Sequence, residues 1–183
     1  MTDDELMARG AEGDERAFQL LVERWERPVF AFLVRMLGSR EEAQDVGQET
    51  FLRLCRQAKR YQARGQFRSW LFRIAGNLAR SRLRRRKIVR WVMFERPLHD
   101  RPASSPPIGA DLEREELRTL LMAAIDELPE RQRQTILLRH DLGMSQREIA
   151  ATLGTSESAV ESLLQRGLGT LKRKLREQGL EQS

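Results

Sequence analysis

The chain has 183 residues, of which 33 are Lys or Arg and 27 Asp or Glu, for a formal net charge of +6, with one Cys and two His. That length holds one domain or two small ones. It contains no apolar run near the ~18 residues that span a bilayer, and its acidic start, Met1-Thr-Asp-Asp-Glu, is unlike a secretory leader. Cys55 has no second cysteine to pair with, which fits a reducing cytoplasm. One Cys and two His also argue against a structural zinc site, and no cofactor is expected.

The charge is segregated. Residues 1–52 carry 6 basic and 12 acidic side chains, residues 53–96 carry 15 and 1, residues 97–130 carry 3 and 8, and residues 131–183 carry 9 and 6. A block of +14 between two acidic stretches attracts polyanions, of which nucleic acid is the first choice. An ordinary solvated helix face would mix its signs.

In chain order the pattern is helical throughout. Asp14 is placed to cap a helix with Ala17, Phe18, Leu20, Leu21, Val22 and Trp25 on its apolar face, and Pro28 is expected to begin a second segment ending at Gly38. Ser39 and Glu42 read as a capping box for a helix carrying Ala43, Val46, Thr50, Phe51 and Leu54. After the polar stretch Lys59–Gln66, apolar residues recur at 67, 70, 71, 74, 75 and 78, one face of a helix. On that helix Arg73, Asn77, Arg80, Arg84 and Lys87 are spaced to form a second stripe, suited to a phosphate backbone. Four of the six prolines fall between Pro97 and Gly109, which reads as a linker. Beyond it, Leu112 to Leu128 form a helix and Pro129 opens another carrying Ile136, Leu137 and Leu138. The expected fold is all-α, with two small helical domains, 1–96 and 111–183, joined by a flexible Pro/Ser-rich linker at 97–110.

The most specific local pattern lies at 144–164. Ser145 and Glu148 make a capping box, Ile149, Ala150 and Leu153 face inward, and Gly154 ends the helix. Ser156 caps the next helix, with Val160, Leu164, Leu168 and Leu171 on one face. Two short helices around a tight glycine turn, with alanine at the crossing, form a helix-turn-helix. Its exposed candidates for contact in the DNA major groove are Thr155, Ser156, Ser158, Glu161, Ser162, Gln165 and Arg166: arginine for guanine, glutamine for adenine, glutamate for cytosine. Lys172, Arg173, Lys174 and Arg176 form a basic tail suited to the DNA backbone.

These features in this order resemble the sigma-70 family of bacterial transcription initiation factors, in particular its small extracytoplasmic-function (ECF) group. The matching stretches are 42–54 and 67–79 in the first half, and 128–133 and 145–164 in the second. The resemblance implies that Asp45, Gln48, Glu49, Phe51 and Leu52 dock on core RNA polymerase. It implies that the Arg73–Lys87 stripe and the loop with Lys59, Arg60, Tyr61 and Arg64 bind and melt the proximal promoter element, with Tyr61 stacking on a flipped base. Implied partners are core RNA polymerase, promoter DNA and a cognate anti-sigma factor, membrane-anchored or not. Gly47, Ser81, Glu161, Leu163, Gly167 and Gly169 depart from the family pattern, and the last two are expected to interrupt their helix.

Two other readings remain. A stand-alone helix-turn-helix regulator would bind duplex DNA without polymerase, but it leaves the +14 block unexplained. A nucleic-acid enzyme would need a nucleophile or metal carboxylates; His99 and His140 are the only imidazoles, and no Ser/His/Asp set or Gly-rich phosphate loop assembles around them. The chain is expected not to be an enzyme.

Overall fold

A computed structural model describes residues 1–62, 65–93 and 111–177; the expected linker at 97–110 and Arg64 lie outside these residues. The described residues form eight α-helices and no strand. The first half comprises α1 (Asp3–Ala11), α2 (Glu15–Leu37), α3 (Arg40–Gln57) and α4 (Phe67–Met93), with a 3-10 turn at Ala58–Arg60. The second comprises α5 (Asp111–Asp126), α6 (Glu130–Ile136), α7 (Gln146–Leu153) and α8 (Glu157–Glu177), with a π-helical turn at Leu137–Asp141.

The boundaries follow from local chemistry. The Asp14 carboxylate accepts from the Ala17 amide at 3.0 Å, the Ser39 hydroxyl accepts from Glu42, and left-handed Gly38 ends α2. Ser39 is a one-way cap rather than the expected box, since the Glu42 carboxylate pairs with Arg86 at 3.0 Å. Helix α1 was not expected, although Thr2 and Glu5 form a full capping box at its start. Pro28 does not begin a new segment; α2 runs through it. The missing N–H costs the helix one hydrogen bond, and burial of Leu21, Val29, Phe32 and Leu33 on both sides of the proline holds the helix continuous.

The first-half core is aromatic. Phe32, Phe67 and Phe72 are almost fully buried, and Phe32 meets Phe72 edge-on at 5.3 Å. In the second half, α7 and α8 flank left-handed Gly154, and Ser145 with Glu148 forms the expected box. Gly167 and Gly169 do not interrupt α8. Instead Gly167 is buried, and a Cβ there would lie 2.7 Å from Ile136 Cδ1, so its bare backbone lets α8 approach α6. Leu168, expected on the buried face, is 44% exposed because Gly167 takes that contact.

The halves are packed together, and their buried apolar residues form one continuous cluster. From α6, Arg133 donates at 2.8 Å to the Met36 carbonyl near the end of α2, and Gln134 fills the notch left by Gly76 on α4. Ser69 donates to the Glu148 carbonyl at 3.2 Å, Arg68 donates to the Leu142 carbonyl, and Arg35 pairs with Asp141.

Candidate nucleic-acid and partner interfaces

The start of α8 presents a polar face. Ser156, Ser158, Glu161, Ser162, Gln165 and Arg166 are exposed and Thr155 is half-buried, while Val160 is buried behind them. Several of these side chains bond locally. Ser156 Oγ accepts from the Ala159 amide at 3.2 Å, Ser162 donates to the Ser158 carbonyl at 3.0 Å, and Arg166 Nε donates to the Ser162 carbonyl at 3.1 Å. These are local bonds that a base edge or phosphate can replace with little rearrangement.

The α4 stripe has a different setting: it faces the second half of the molecule. A Cβ at Gly154 would come within 2.9 Å of the Arg73 guanidinium. Lys87 pairs with Glu130 at 2.8 Å. Arg80 donates to Asn77 at 2.5 Å, yet its Nε has no hydrogen-bond partner. Burial, and then the neighbouring Arg131 charge, hold the Arg80 guanidinium below its usual pKa. Arg84 stays exposed. Sequence spacing brings these five side chains to one face; the tertiary structure turns much of that face toward α6 and the α7–α8 turn.

In the loop before α4, Lys59 and Arg60 are exposed. Tyr61 is half-buried, stacked on Trp70 at 4.7 Å and edge-on to Phe67 at 6.1 Å. Its hydroxyl donates to Asp4 of α1. Burial, and then that bond, push the phenol pKa well above its ordinary value. Trp70, expected to be core, is half-buried and supplies the platform under Tyr61, whereas Phe67 is buried as expected.

A groove of about 900 Å³ runs between α2 and α3. Of the five residues expected to dock on polymerase, Gln48, Phe51 and Leu52 line it. Leu52 is 51% exposed, a large apolar side chain without cover. Asp45 and Glu49 do not line it: Asp45 pairs with Arg82 at 3.6 Å and Glu49 with Arg53 at 2.7 Å, and the Arg53 hydrogen bond lowers the Glu49 pKa. The opposite wall comes from Phe18, Val22 and Phe30, the first two of which were expected on the apolar face of their helix. Arg40 lies over the Phe30 ring at 5.3 Å. The half-exposure of these residues on an otherwise buried stripe is a product of how α2 meets α3, so spacing alone carried no signal for them. Gly47 lies in the groove wall, and a Cβ there would be in ordinary contact with Leu33 Cδ1 at 3.7 Å.

Among the described residues no group of three or more His, Cys, Asp or Glu is placed to hold a metal, and no helix is long and apolar enough to cross a membrane.

Comparison with known proteins gives a consistent picture. Residues 21–88 match the model of sigma-70 region 2 and residues 118–171 that of sigma-70 region 4. The chain is 34% identical over 165 residues to the ECF RNA polymerase sigma factor SigE of Mycolicibacterium smegmatis, covering 88% of this chain and 64% of that one. It is 34% identical over 175 residues to the RNA polymerase sigma factor CarQ of Myxococcus xanthus, covering 96% and 98%. The chain thus spans about half to two thirds of the length of its mycobacterial relatives. The solved structure of CnrH in complex with the cytosolic domain of CnrY superposes with a TM-score of 0.71 at 30% identity, covering 96% of this chain and 97% of that one.

Proposed function

The chain belongs to the ECF group of the sigma-70 family, and from that premise we propose that it binds core RNA polymerase and directs promoter recognition and melting. The work divides between the halves, at boundaries of 1–96 and 111–183. The second half reads a distal duplex element, with Thr155, Ser156, Ser158, Glu161, Ser162, Gln165 and Arg166 of α8 and its entry in the major groove. The first half docks through Gln48, Phe51 and Leu52 in the groove, with Asp45 and Glu49 on its flank. Arg73, Asn77, Arg80, Arg84 and Lys87 follow the proximal backbone, and Lys59, Arg60, Tyr61 and Arg64 take the melted strand. The observation that carries this reading is the pairing, in one chain, of a helix-turn-helix with an arginine stripe on a separate helix beside an open apolar groove.

The chain needs no catalytic chemistry of its own, because polymerase supplies it. The reading puts the protein in the cytoplasm, where core polymerase is. Control by an anti-sigma factor is part of the proposal, supported by the CnrH complex with CnrY and by the half-covered stripe. Run-off transcription tests it. Promoter-dependent transcripts are expected only when the chain is added to core polymerase. Specific duplex binding by the chain alone, with no effect on core polymerase, would establish the stand-alone regulator instead.

A further inference from the structure

The loop between α3 and α4 is held by a residue far from it in sequence. One carboxylate oxygen, Asp4 Oδ1, accepts both the Tyr61 hydroxyl and, at 3.2 Å, the Gly65 amide. Gly65 is left-handed, with φ +68°, so its backbone sits in a conformation that only glycine adopts freely. Asp4 is itself fixed. Leu6 and Met7 bury α1 in the core, the Thr2–Glu5 box closes its first turn, and Asp3 pairs with Arg24 of α2 at 2.5 Å. Tyr61 and Gly65 are thus both tied to α1, and Tyr61 is stacked on Trp70.

We propose that Asp4 is a positioning residue for strand capture: its side-chain oxygen shapes the loop that receives the unstacked base. The proposal rests on the reading of this loop as the strand-capturing element. Extruding a base already costs a few kcal/mol, and a loop that must also order itself on binding adds to that cost. Two hydrogen bonds made in advance remove the second cost. The charge of Asp4 works the other way, since a carboxylate beside a nucleic-acid site repels phosphate. What the loop needs from Asp4 is an acceptor oxygen, which an amide also has.

This separates three variants in holoenzyme made from the full chain and core polymerase. The template is a promoter fragment selected from genomic DNA with the wild-type holoenzyme, carrying 2-aminopurine in its proximal element to report unstacking. Asp4→Ala is expected to slow opening on the order of tenfold, and Tyr61→Phe, which keeps the ring and loses the donor, less than that. Asp4→Asn is expected to open at the wild-type rate or faster. All three should bind core polymerase and the distal duplex element as the wild type does. Opening by Asp4→Ala at the wild-type rate overturns the proposal, and so does an Asp4→Asn variant as slow as Asp4→Ala. Loss of core binding in Asp4→Asn overturns it too, by showing that Asp4 holds up the helix bundle rather than the loop. If Tyr61→Ala and Arg60→Ala also open normally, the strand-capture reading fails along with the proposal. If they are slow while Asp4→Ala is not, only the role of Asp4 falls.

Discussion

Gly167 shows how a single residue's role reverses between sequence and structure. By propensity it costs its helix roughly 1 kcal/mol against alanine, and by position it is the contact through which α8 meets Ile136. Gly167→Val would push a branched side chain into Ile136. It is expected to destabilise the protein by about 1–3 kcal/mol in urea unfolding. A variant as stable as the wild type would mean that α6 and α8 repack freely. Tyr61, the chain's one tyrosine, offers a pH test without mutation. Its raised pKa means that folding favours the neutral phenol. Its stabilising contribution is fully present below about pH 10, the ordinary phenol value, and is lost as pH rises above it. Phenolate absorbance near pH 11 should therefore be largely absent while the chain is folded and should appear on unfolding at the same pH. Asp4→Ala should bring it in earlier in the folded state.

At the level of elements, the groove between α2 and α3 carries the sharpest expectation. Leu52 gains little from the fold, being half exposed, so Leu52→Ala should change stability by no more than about 0.5 kcal/mol. If the groove receives polymerase, the same change should weaken core binding by roughly tenfold, as for an apolar anchor at an interface centre. Titration of labelled chain with core polymerase, alongside a thermal melt, measures both; a shifted melt with unchanged binding would put Leu52 in the core instead. Helix-level features were the most readable from sequence. The Asp14 and Ser39 caps, the Ser145–Glu148 box and the Gly154 turn all rest on bonds within a few residues. Helix α1 has the same kind of signal at Thr2 and Glu5, but its nine residues are too few to stand out by periodicity. Pro28 misled for the opposite reason: its local rule is strong, and packing around Phe32 and Leu33 overrode it.

For the molecule as a whole, the arrangement of the halves decides how much of the stripe is open. The Arg73–Lys87 stripe is partly occupied by the second half, and Arg80 sits beside Arg131 with its Nε unpartnered. This contact is electrostatically imperfect, so a polyanion bound to the stripe as proposed would displace it at low cost. Arg133 is one of the ties between the halves: it is 93% buried, pairs with Asp126 in its own half and donates across to the Met36 carbonyl. Arg133→Met keeps bulk and removes those bonds. It is expected to part the halves, raising the radius of gyration in small-angle scattering while helical content by circular dichroism stays the same. An unchanged radius would mean that apolar contact alone holds the halves together. The wild type should also expand as DNA binds the stripe.

The all-α class, the helix-turn-helix, the basic stripe and the family itself were legible in the linear chain, because caps, glycine turns and helical spacing are short-range effects carried by neighbouring residues. Tertiary structure alone decided that α2 and α3 leave Leu52 uncovered, that Asp4 holds a loop some sixty residues away, and that the stripe faces α6. Those facts depend on which faces meet when the helices pack. The same periodic pattern is compatible with many packings, and only burial of the shared core selects one.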